Sequence, residues 1–191
     1  MMQHQKNPNS PRAFSAIVLA GGLSSRMGQD KALLRLGSDT MLSRTIALAY
    51  QMGAVDVVVS RNQPGFVQDI HQHQGPLAGL HAALPLCRCR RVLVLAVDMP
   101  RLSQRALTQL LAQPVGFFAG HPLPAVIDVT KNLQQEIFQR LQLPHGPRSL
   151  ATLWRFAELP ALPCHYPDEL CNTNDPNSWQ QVLNDMEIMH A

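Results

Sequence analysis

The sequence contains neither a dense run of lysine and arginine nor an apolar stretch long enough to cross a membrane. Nucleic-acid-binding domains usually carry clustered basic residues, and a membrane helix needs about 18 or more consecutive apolar residues. Charged residues make up only 15% of the chain, and the net charge is +3. We therefore expect no nucleic acid and no membrane as partners. A mildly basic chain suits a small anionic substrate.

Cysteine is also scarce, with four thiols in 191 residues. Cys87 and Cys89 are too close together for a Cys-x-x-Cys zinc site, and no matching histidine pair follows them. Because no secretory signal is evident, we expect reduced thiols and a cytoplasmic protein. Residues 1–12 are polar and predict a flexible tail. Residues 13–191 show no linker or repeat, which predicts one domain.

Apolar runs alternate with helical patterns over the first 115 residues. Residues 13–20, 55–60 and 91–98 are short apolar runs that predict buried strands. Residues 40–52 and 76–86, together with a segment capped by Ser103, predict the helices between and after them. This order is typical of an α/β fold with a mostly parallel sheet between two helical layers. Later segments predict two more strands, one of them antiparallel, and helices that begin near residues 130, 148 and 174.

The most informative segment is residues 17–36, IVLAGGLSSRMGQDKALLRL. Gly21 and Gly22 allow a sharp turn after the first strand and expose backbone N–H groups that suit phosphate oxygens. Arg26 and Lys31 add positive charge. Two familiar nucleotide loops are excluded, because neither Gly-x-x-x-x-Gly-Lys-Ser/Thr nor Gly-x-Gly-x-x-Gly is present. Ligands of open α/β sheets bind beyond the carboxyl ends of the strands, where this loop lies.

The pattern LAGGLSSRMGQDKALL resembles the signature of the MobA-like nucleotidyltransferases, and within them the molybdenum cofactor guanylyltransferases. The resemblance extends through GPLAGL (75–80), VDMP (97–100), GPRSL (146–150) and NTNDP (172–176), in the family's order. It implies a three-layer, Rossmann-like nucleotidyltransferase fold. It also implies transfer of GMP from GTP to the terminal phosphate of molybdopterin, with release of pyrophosphate and with Mg²⁺ as cofactor.

Three residues are assigned catalytic roles. Asp98 follows the most apolar strand, and a carboxylate there suits Mg²⁺, which takes one or two carboxylates together with phosphates and water. The alternative is that Asp98 only caps the turn that follows it, before Pro100. Lys31 and Arg26 are expected to neutralise the phosphates, because the transition state of this transfer gathers negative charge.

The resemblance also implies the nucleotide-binding residues. Asp69 matches a nucleotide-contacting aspartate of the family, and a base- or ribose-contacting asparagine is expected after the second strand. Asn62 is the available asparagine, although strict counting selects Ser60. GPLAG favours guanine, since small residues allow a purine to lie against the backbone. The full expected set is Leu19, Ala20, Gly21, Gly22, Lys31, Asn62, Asp69, Gly75, Pro76, Leu77 and Asp98.

For the acceptor, the resemblance implies His121, Arg148 and Asn174. Asn174 is also expected to reach the metal or its water, unless it only forms a turn. The histidines of HQHQ (71–74) are expected to face solvent rather than to bind metal. Transient contact with molybdenum-insertion proteins or apo-molybdoenzymes is a further expectation. The competing functions are a CTP-dependent or sugar-phosphate nucleotidyltransferase and a non-catalytic nucleotide-binding adaptor.

Overall fold

The computed structural model of the chain describes residues 12–21 and 30–190, with residues 186–190 described by their backbone alone. The strands are β1 (Ser15–Leu19), β2 (Arg35–Leu36), β3 (Asp39–Thr40), β4 (Val57–Ser60), β5 (Arg91–Ala96), β6 (Gly116–Phe118), β7 (His121–Asp128) and β8 (Ala161–Leu162). The α-helices are α1 (Met41–Gln51), α2 (Pro76–Ala83), α3 (Gln104–Leu111), α4 (Lys131–Gln142), α5 (Leu150–Phe156) and α6 (Pro176–His190). Short 3-10 turns cover Lys31–Leu33, Leu84–Leu86 and Pro167–Leu170.

Six strands form the central sheet, in the order β4-β1-β5-β7-β6-β8. β1 is parallel to both β4 and β5, and β6 is parallel to β8, whereas β7 is antiparallel to β5 and β6. The sheet is therefore mostly parallel, as the sequence predicts. The expected antiparallel strand is β7. It begins at His121, three residues before the apolar run PAVIDV (124–129) that predicts a strand here.

The two faces of the sheet carry separate apolar cores, because successive strand residues point to opposite sides. In β1, Val18 belongs to the core that includes residues of α1, α3 and α6, and its neighbour Ile17 belongs to the core that includes residues of α2, α4 and α5. Leu95 and Val94 alternate in the same way on β5. The three-layer architecture predicted from the sequence is confirmed.

Four of the helices begin where the sequence places a capping side chain. Thr40, Ser103, Thr130 and Ser149 each accept a hydrogen bond from a backbone N–H in the first turn of the helix that follows. Leu133, Ile137 and Leu141 are buried along one face of α4, as their spacing indicates. Within the described residues, no helix is long and apolar enough to cross a membrane.

Three short elements are absent from the sequence predictions. The hairpin β2–β3 and strand β8 have two residues per strand, too few for a detectable alternation of apolar and polar residues. The Lys31–Leu33 turn breaks the apolar pattern that follows the glycine-rich loop. Residues 1–11 lie outside the described part, so the tail and the division of the chain into a tail and one domain stay predictions.

The four cysteines are free thiols, as expected. Burial, with smaller contributions from nearby Asp56 and Cys89, raises the pKa of Cys87 to about 12. A thiol with this pKa is protonated at neutral pH and is a poor nucleophile. Cys87 is therefore part of the packing beneath β5 and is not a reactive group.

Candidate active site

The candidate site lies at the carboxyl ends of β4, β1 and β5. The chain runs from β1 to β4 on one side of β1 and then to β5 on the other, so the order of strands reverses around β1. In open α/β sheets this reversal opens a crevice for ligands. Gly21 follows β1, Arg61 follows β4 and Asp98 follows β5, which brings three separated segments to one edge.

The centre of the site is an ion pair between Lys31 and Asp98. Lys31 Nζ donates hydrogen bonds to Asp98 Oδ2 at 3.1 Å and to Asn174 Oδ1 at 2.7 Å. The two charged side chains are 17% and 19% exposed, so a ligand in the crevice can still reach them. The structure thus brings together three residues predicted from three different motifs.

The backbone next to Lys31 is held by its neighbour Asp30. Asp30 Oδ1 accepts a hydrogen bond from Ala32 N at 3.0 Å, which caps the turn that begins at Lys31. Asp30 Oδ2 accepts a second hydrogen bond from Arg61 Nη2 at 2.6 Å. Ala32 is buried beneath the turn. These contacts fix the point from which the Lys31 side chain extends to Asp98.

Asn174 is positioned by the residues on either side of it. The backbone N–H of buried Thr173 donates to Asp98 O at 2.9 Å, which joins the segment before α6 directly to the end of β5. Asp175 Oδ1 accepts from Ser178 N at 2.9 Å in the first turn of α6. The backbone and side-chain hydrogen bonds from Ser178 lower the pKa of Asp175, so its carboxylate remains charged in mildly acidic solution.

The donors at the centre suit a hard cation. Asp98 and Asn174 direct two oxygen atoms towards one ammonium group, so these oxygens already hold a positive charge between them. Mg²⁺ prefers oxygen ligands and commonly takes a single carboxylate, with phosphate oxygens and water completing its shell. Among the residues described, no three His, Cys, Asp or Glu side chains are grouped as a metal site. The residues therefore fit an ion that is shared with a phosphate ligand, and they do not form a complete protein cage.

Asn62 and Asp69 form a second polar group beside β4. Asn62 Nδ2 donates to Asp69 Oδ2 at 2.9 Å, and the backbone N–H of Asp69 donates to Asn62 Oδ1 at 2.8 Å. Asn62 Nδ2 also lies next to Gly21. Ser60, by contrast, is buried, and its hydroxyl lies against the backbone of Gly79 in α2. Between the two candidates from the sequence, Asn62 is the exposed one.

The GPLAG motif forms the start of α2. Gly75 has a φ of 68°, a conformation that other residues adopt with strain, and no side chain caps the helix. Pro76 occupies the first turn. The side chain of Leu77 is fully buried in the core, so only its backbone is able to meet a ligand.

A largely apolar pocket of about 320 Å³ lies on the other side of the site. It is lined by residues from five segments, including Pro76, Ala96, His121, Leu123, Ser149 and Asn172. His121, which the sequence assigns to the acceptor, lines this pocket, and its acceptor role stays a prediction. The Arg148 guanidinium instead donates to Leu143 O and Pro144 O at 3.0 Å each and is not among the lining residues.

Two predicted residues, Gly22 and Arg26, lie outside the described residues, so their proposed roles stay predictions. The HQHQ histidines form no metal site with the other residues described. His71 instead lies beside His81 of α2, with ring centroids 5.5 Å apart. Desolvation by burial, and secondarily the nearby His71, lower the pKa of His81.

Sequence reasoning missed Asp30, Arg61 and Thr173 as contributors to the site. Asp30 and Thr173 lie next to residues that it did select, and their contribution is made by capping and by the backbone. Arg61 had one available signal, since it is a charged residue at the end of an apolar strand. Its burial and its contact with Asp30 depend on the tertiary fold.

Comparisons with known proteins find similar sequences and similar folds. The family model described as "MobA-like NTP transferase domain" matches residues 16–150. The chain is 33% identical to a molybdenum cofactor guanylyltransferase of Xanthomonas euvesicatoria, covering 91% of this chain and 96% of the relative. It is 32% identical to a probable molybdenum cofactor guanylyltransferase of Synechococcus elongatus, covering 88% and 97% of the two chains.

Solved structures share the fold at lower identity. A molybdopterin-guanine dinucleotide biosynthesis protein A from Archaeoglobus fulgidus superposes with a TM-score of 0.66 at 18% identity, covering 91% of this chain and 98% of that one. A 2-C-methyl-D-erythritol 4-phosphate cytidylyltransferase from Thermus thermophilus superposes with a TM-score of 0.68 at 16% identity, covering 90% and 98%. The same architecture therefore occurs in proteins named for different nucleotides.

Proposed function

The chain belongs to the family of MobA-like NTP transferases, and from this premise we propose that it is a molybdenum cofactor guanylyltransferase. It transfers GMP from GTP to the terminal phosphate of molybdopterin and releases pyrophosphate. The observation that carries the proposal is the convergence of Lys31, Asp98 and Asn174 at the carboxyl edge of the sheet. Relatives named as molybdenum cofactor guanylyltransferases, which align over most of both chains, support the choice of nucleotide and acceptor.

The chemistry needs no covalent enzyme intermediate. An oxygen of the acceptor's terminal phosphate attacks the α-phosphorus of GTP, and the bond from that phosphorus to the β-phosphate oxygen breaks. Pyrophosphate leaves with the electron pair of the broken bond. The protein has to align two anions that repel each other and to stabilise the charge that grows on the leaving group.

Lys31 is the residue best placed for that task. Its ammonium stands at the junction of the glycine-rich loop, β5 and the segment before α6. When a triphosphate enters, we infer that Lys31 Nζ turns from Asp98 to the phosphate oxygens. Arg26 is proposed as the second cation, and the backbone from Leu19 to Gly21 as the surface against which the nucleotide lies.

Mg²⁺ is proposed as the cofactor, with Asp98 as its protein ligand and Asn174 contacting the ion or its water. When bound, it would neutralise phosphate charge during the transfer. Asp98 would then have two functions, since it would hold Lys31 before the nucleotide binds and the metal afterwards. The partial exposure of its carboxylate supports this proposal.

The base and the acceptor are proposed to lie on opposite sides of Pro76. Asn62 and Asp69 offer amide and carboxylate groups near Gly21, and the start of α2, from Gly75 to Leu77, has no side-chain cap. These are the proposed nucleoside contacts. The apolar pocket that includes His121 is proposed to receive the pterin. Arg148 contributes only if it leaves the carbonyl groups that it now contacts.

The proposal extends to a cytoplasmic location and to transient contact with molybdenum-insertion proteins or apo-molybdoenzymes, which would supply or receive the cofactor. The direct test is an assay of pyrophosphate release with each of GTP, CTP, ATP and UTP, with molybdopterin and Mg²⁺ present. Turnover with GTP alone supports the proposal. Turnover with CTP alone would identify a cytidylyltransferase, and nucleotide binding without turnover would identify an adaptor.

A further inference from the structure

Arg61 is a buried charge that the proposed reaction does not use. It follows β4 directly, and its side chain is only 8% exposed. Its Nε atom is buried and has no hydrogen-bond partner. The guanidinium carbon lies 5.5 Å from the centroid of the Phe66 ring, which covers one side of it. Burying a charge is unfavourable unless it is well paired, so the position of Arg61 calls for a specific reason.

Arg61 lies beside both ends of the glycine-rich loop. At the amino end, Gly21 is so close that a Cβ placed on it would lie 3.9 Å from Arg61 Cα. At the carboxyl end, Arg61 Nη2 lies 2.6 Å from Asp30 Oδ2. The residue that follows β4 is therefore next to the start of the loop and forms an ion pair at its end.

The contact with Asp30 continues to Lys31. Asp30 uses its other carboxylate oxygen to cap the turn in which Lys31 is the first residue. Any movement of Asp30 would shift this turn and the ammonium that meets Asp98 and Asn174. Arg61 is thus linked to Lys31 through the Asp30 carboxylate. This link does not involve the residues between Gly21 and Asp30.

We propose that Arg61 is a positioning residue for nucleotide binding, because it fixes Asp30 and thereby the turn that presents Lys31 to the triphosphate. This inference rests on the proposed nucleotidyl transfer and deepens it. Arg61 contacts no reacting atom in this account. Its effect is on the affinity for the triphosphate, and the affinity for the acceptor is left unchanged.

The experiment uses Arg61→Gln, Asp30→Asn and the double variant. Asparagine is also a good capping residue, so Asp30→Asn keeps the bond to Ala32 N and removes the ionic contact with Arg61. Binding of GTP, CTP, ATP and UTP with Mg²⁺ is measured by calorimetry, and KM is measured for GTP and for molybdopterin separately. We expect each single variant to weaken triphosphate binding by roughly tenfold. Because both changes remove the same contact, the double variant should bind the triphosphate no more weakly than the single variants.

Arg140→Gln is the matched control. Arg140 has the same side-chain exposure, 8%, and a similar ion pair, with its Nε 2.7 Å from Glu136 Oε1 on the same helix. A general loss of folded protein lowers the apparent kcat and leaves KM for GTP unchanged. We expect that pattern from Arg140→Gln and an increased KM for GTP from Arg61→Gln. Arg61→Lys keeps the charge and should recover part of the affinity.

The outcomes separate this inference from the proposed function. Wild-type affinity in Arg61→Gln, or independent effects of the Arg61 and Asp30 changes, would overturn the role of Arg61. If the wild type binds CTP rather than GTP and the two changes remain coupled, Arg61 keeps its role and the guanine assignment fails. If the wild type binds no nucleoside triphosphate, both are wrong. If Arg61→Gln does not fold, the triphosphate affinities of Asp30→Asn and of Arg61→Lys test the same role, and wild-type affinity in Asp30→Asn would overturn it.

Discussion

Lys31 Nζ lies 3.1 Å from Asp98 Oδ2, and the two residues are 67 positions apart in the sequence. The ammonium group therefore occupies one oxygen of this carboxylate. In the proposed reaction, a triphosphate arriving with a divalent cation would exchange this pair for two others, with Lys31 on phosphate and Asp98 on the metal. The first two predictions follow from this exchange.

Changing Asp98 to Ala should remove turnover and preserve nucleotide binding. Without the carboxylate, the phosphates lose their metal anchor in the transition state, and we expect kcat to fall by about 10²–10³-fold. Pyrophosphate release measures turnover, and calorimetry measures GTP binding. Asp128→Ala is the control, because Asp128 ends antiparallel β7 at the opposite edge of the sheet. Unchanged turnover in Asp98→Ala would refute the assigned role.

Changing Lys31 to Ala should weaken the binding of phosphates more than the binding of the nucleoside. We expect the affinity for GTP to fall by roughly tenfold or more, and the affinity for guanosine to change little, since one charge-assisted hydrogen bond to phosphate is lost. Calorimetry with both ligands measures the difference. Lys131→Ala removes an exposed lysine at the start of α4 and should alter neither value. Equal losses for GTP and guanosine would contradict a phosphate role.

Changing Gly79 to Ala should disturb the packing of α2 against β4. A Cβ at this position would collide with Ser60 Oγ and would lie 3.3 Å from Leu19 Cδ2. We expect the free energy of unfolding to fall by about 1–3 kcal/mol, as is typical when a packed core receives an extra methyl group. Denaturant titration measures it, and Ser60→Ala in the same chain should restore part of the loss. Full stability in Gly79→Ala would contradict the described close approach.

The protein should lose stability when the pH falls through the range in which His81 takes up a proton. Because burial and His71 lower the pKa of His81, the unfolded chain binds that proton more readily than the folded one. The contribution of His81 is therefore fully present above its unfolded pKa of about 6.5 and is lost as the pH falls below it. His81→Asn should reduce the difference in unfolding free energy between pH 7.5 and pH 5.5. His145→Asn, at an exposed position, should leave this difference unchanged. An equal pH dependence in the wild type and in both variants would contradict the assignment of the effect to His81.

Local patterns were sufficient to predict the layers of this fold. Strand β5 and helix α4 are continuous and strongly patterned, and both were predicted close to their observed positions. The hairpin β2–β3 and strand β8 were missed because two-residue strands depend on their partners and not on an apolar pattern of their own. The order of strands was also beyond local reasoning, since it depends on long-range pairing.

The same limit applies to the site. Asp98 and Lys31 were selected from the sequence because each follows a recognisable segment, and Asn174 because it lies within a motif. Arg61 was missed because nothing in the sequence indicates that it is buried against Asp30. Arg148 was placed with the acceptor by its motif, and in the structure its guanidinium contacts backbone carbonyls instead. Side-chain direction is set by tertiary contacts that a motif does not encode.

The most direct test of the account is a crystal structure of the protein with a non-hydrolysable GTP analogue and Mg²⁺. We expect the triphosphate between Gly21 and Lys31, the ion bound to Asp98, and Lys31 Nζ turned from that carboxylate to a phosphate oxygen. A triphosphate bound far from these three residues, with the Lys31–Asp98 pair still intact, would contradict the account.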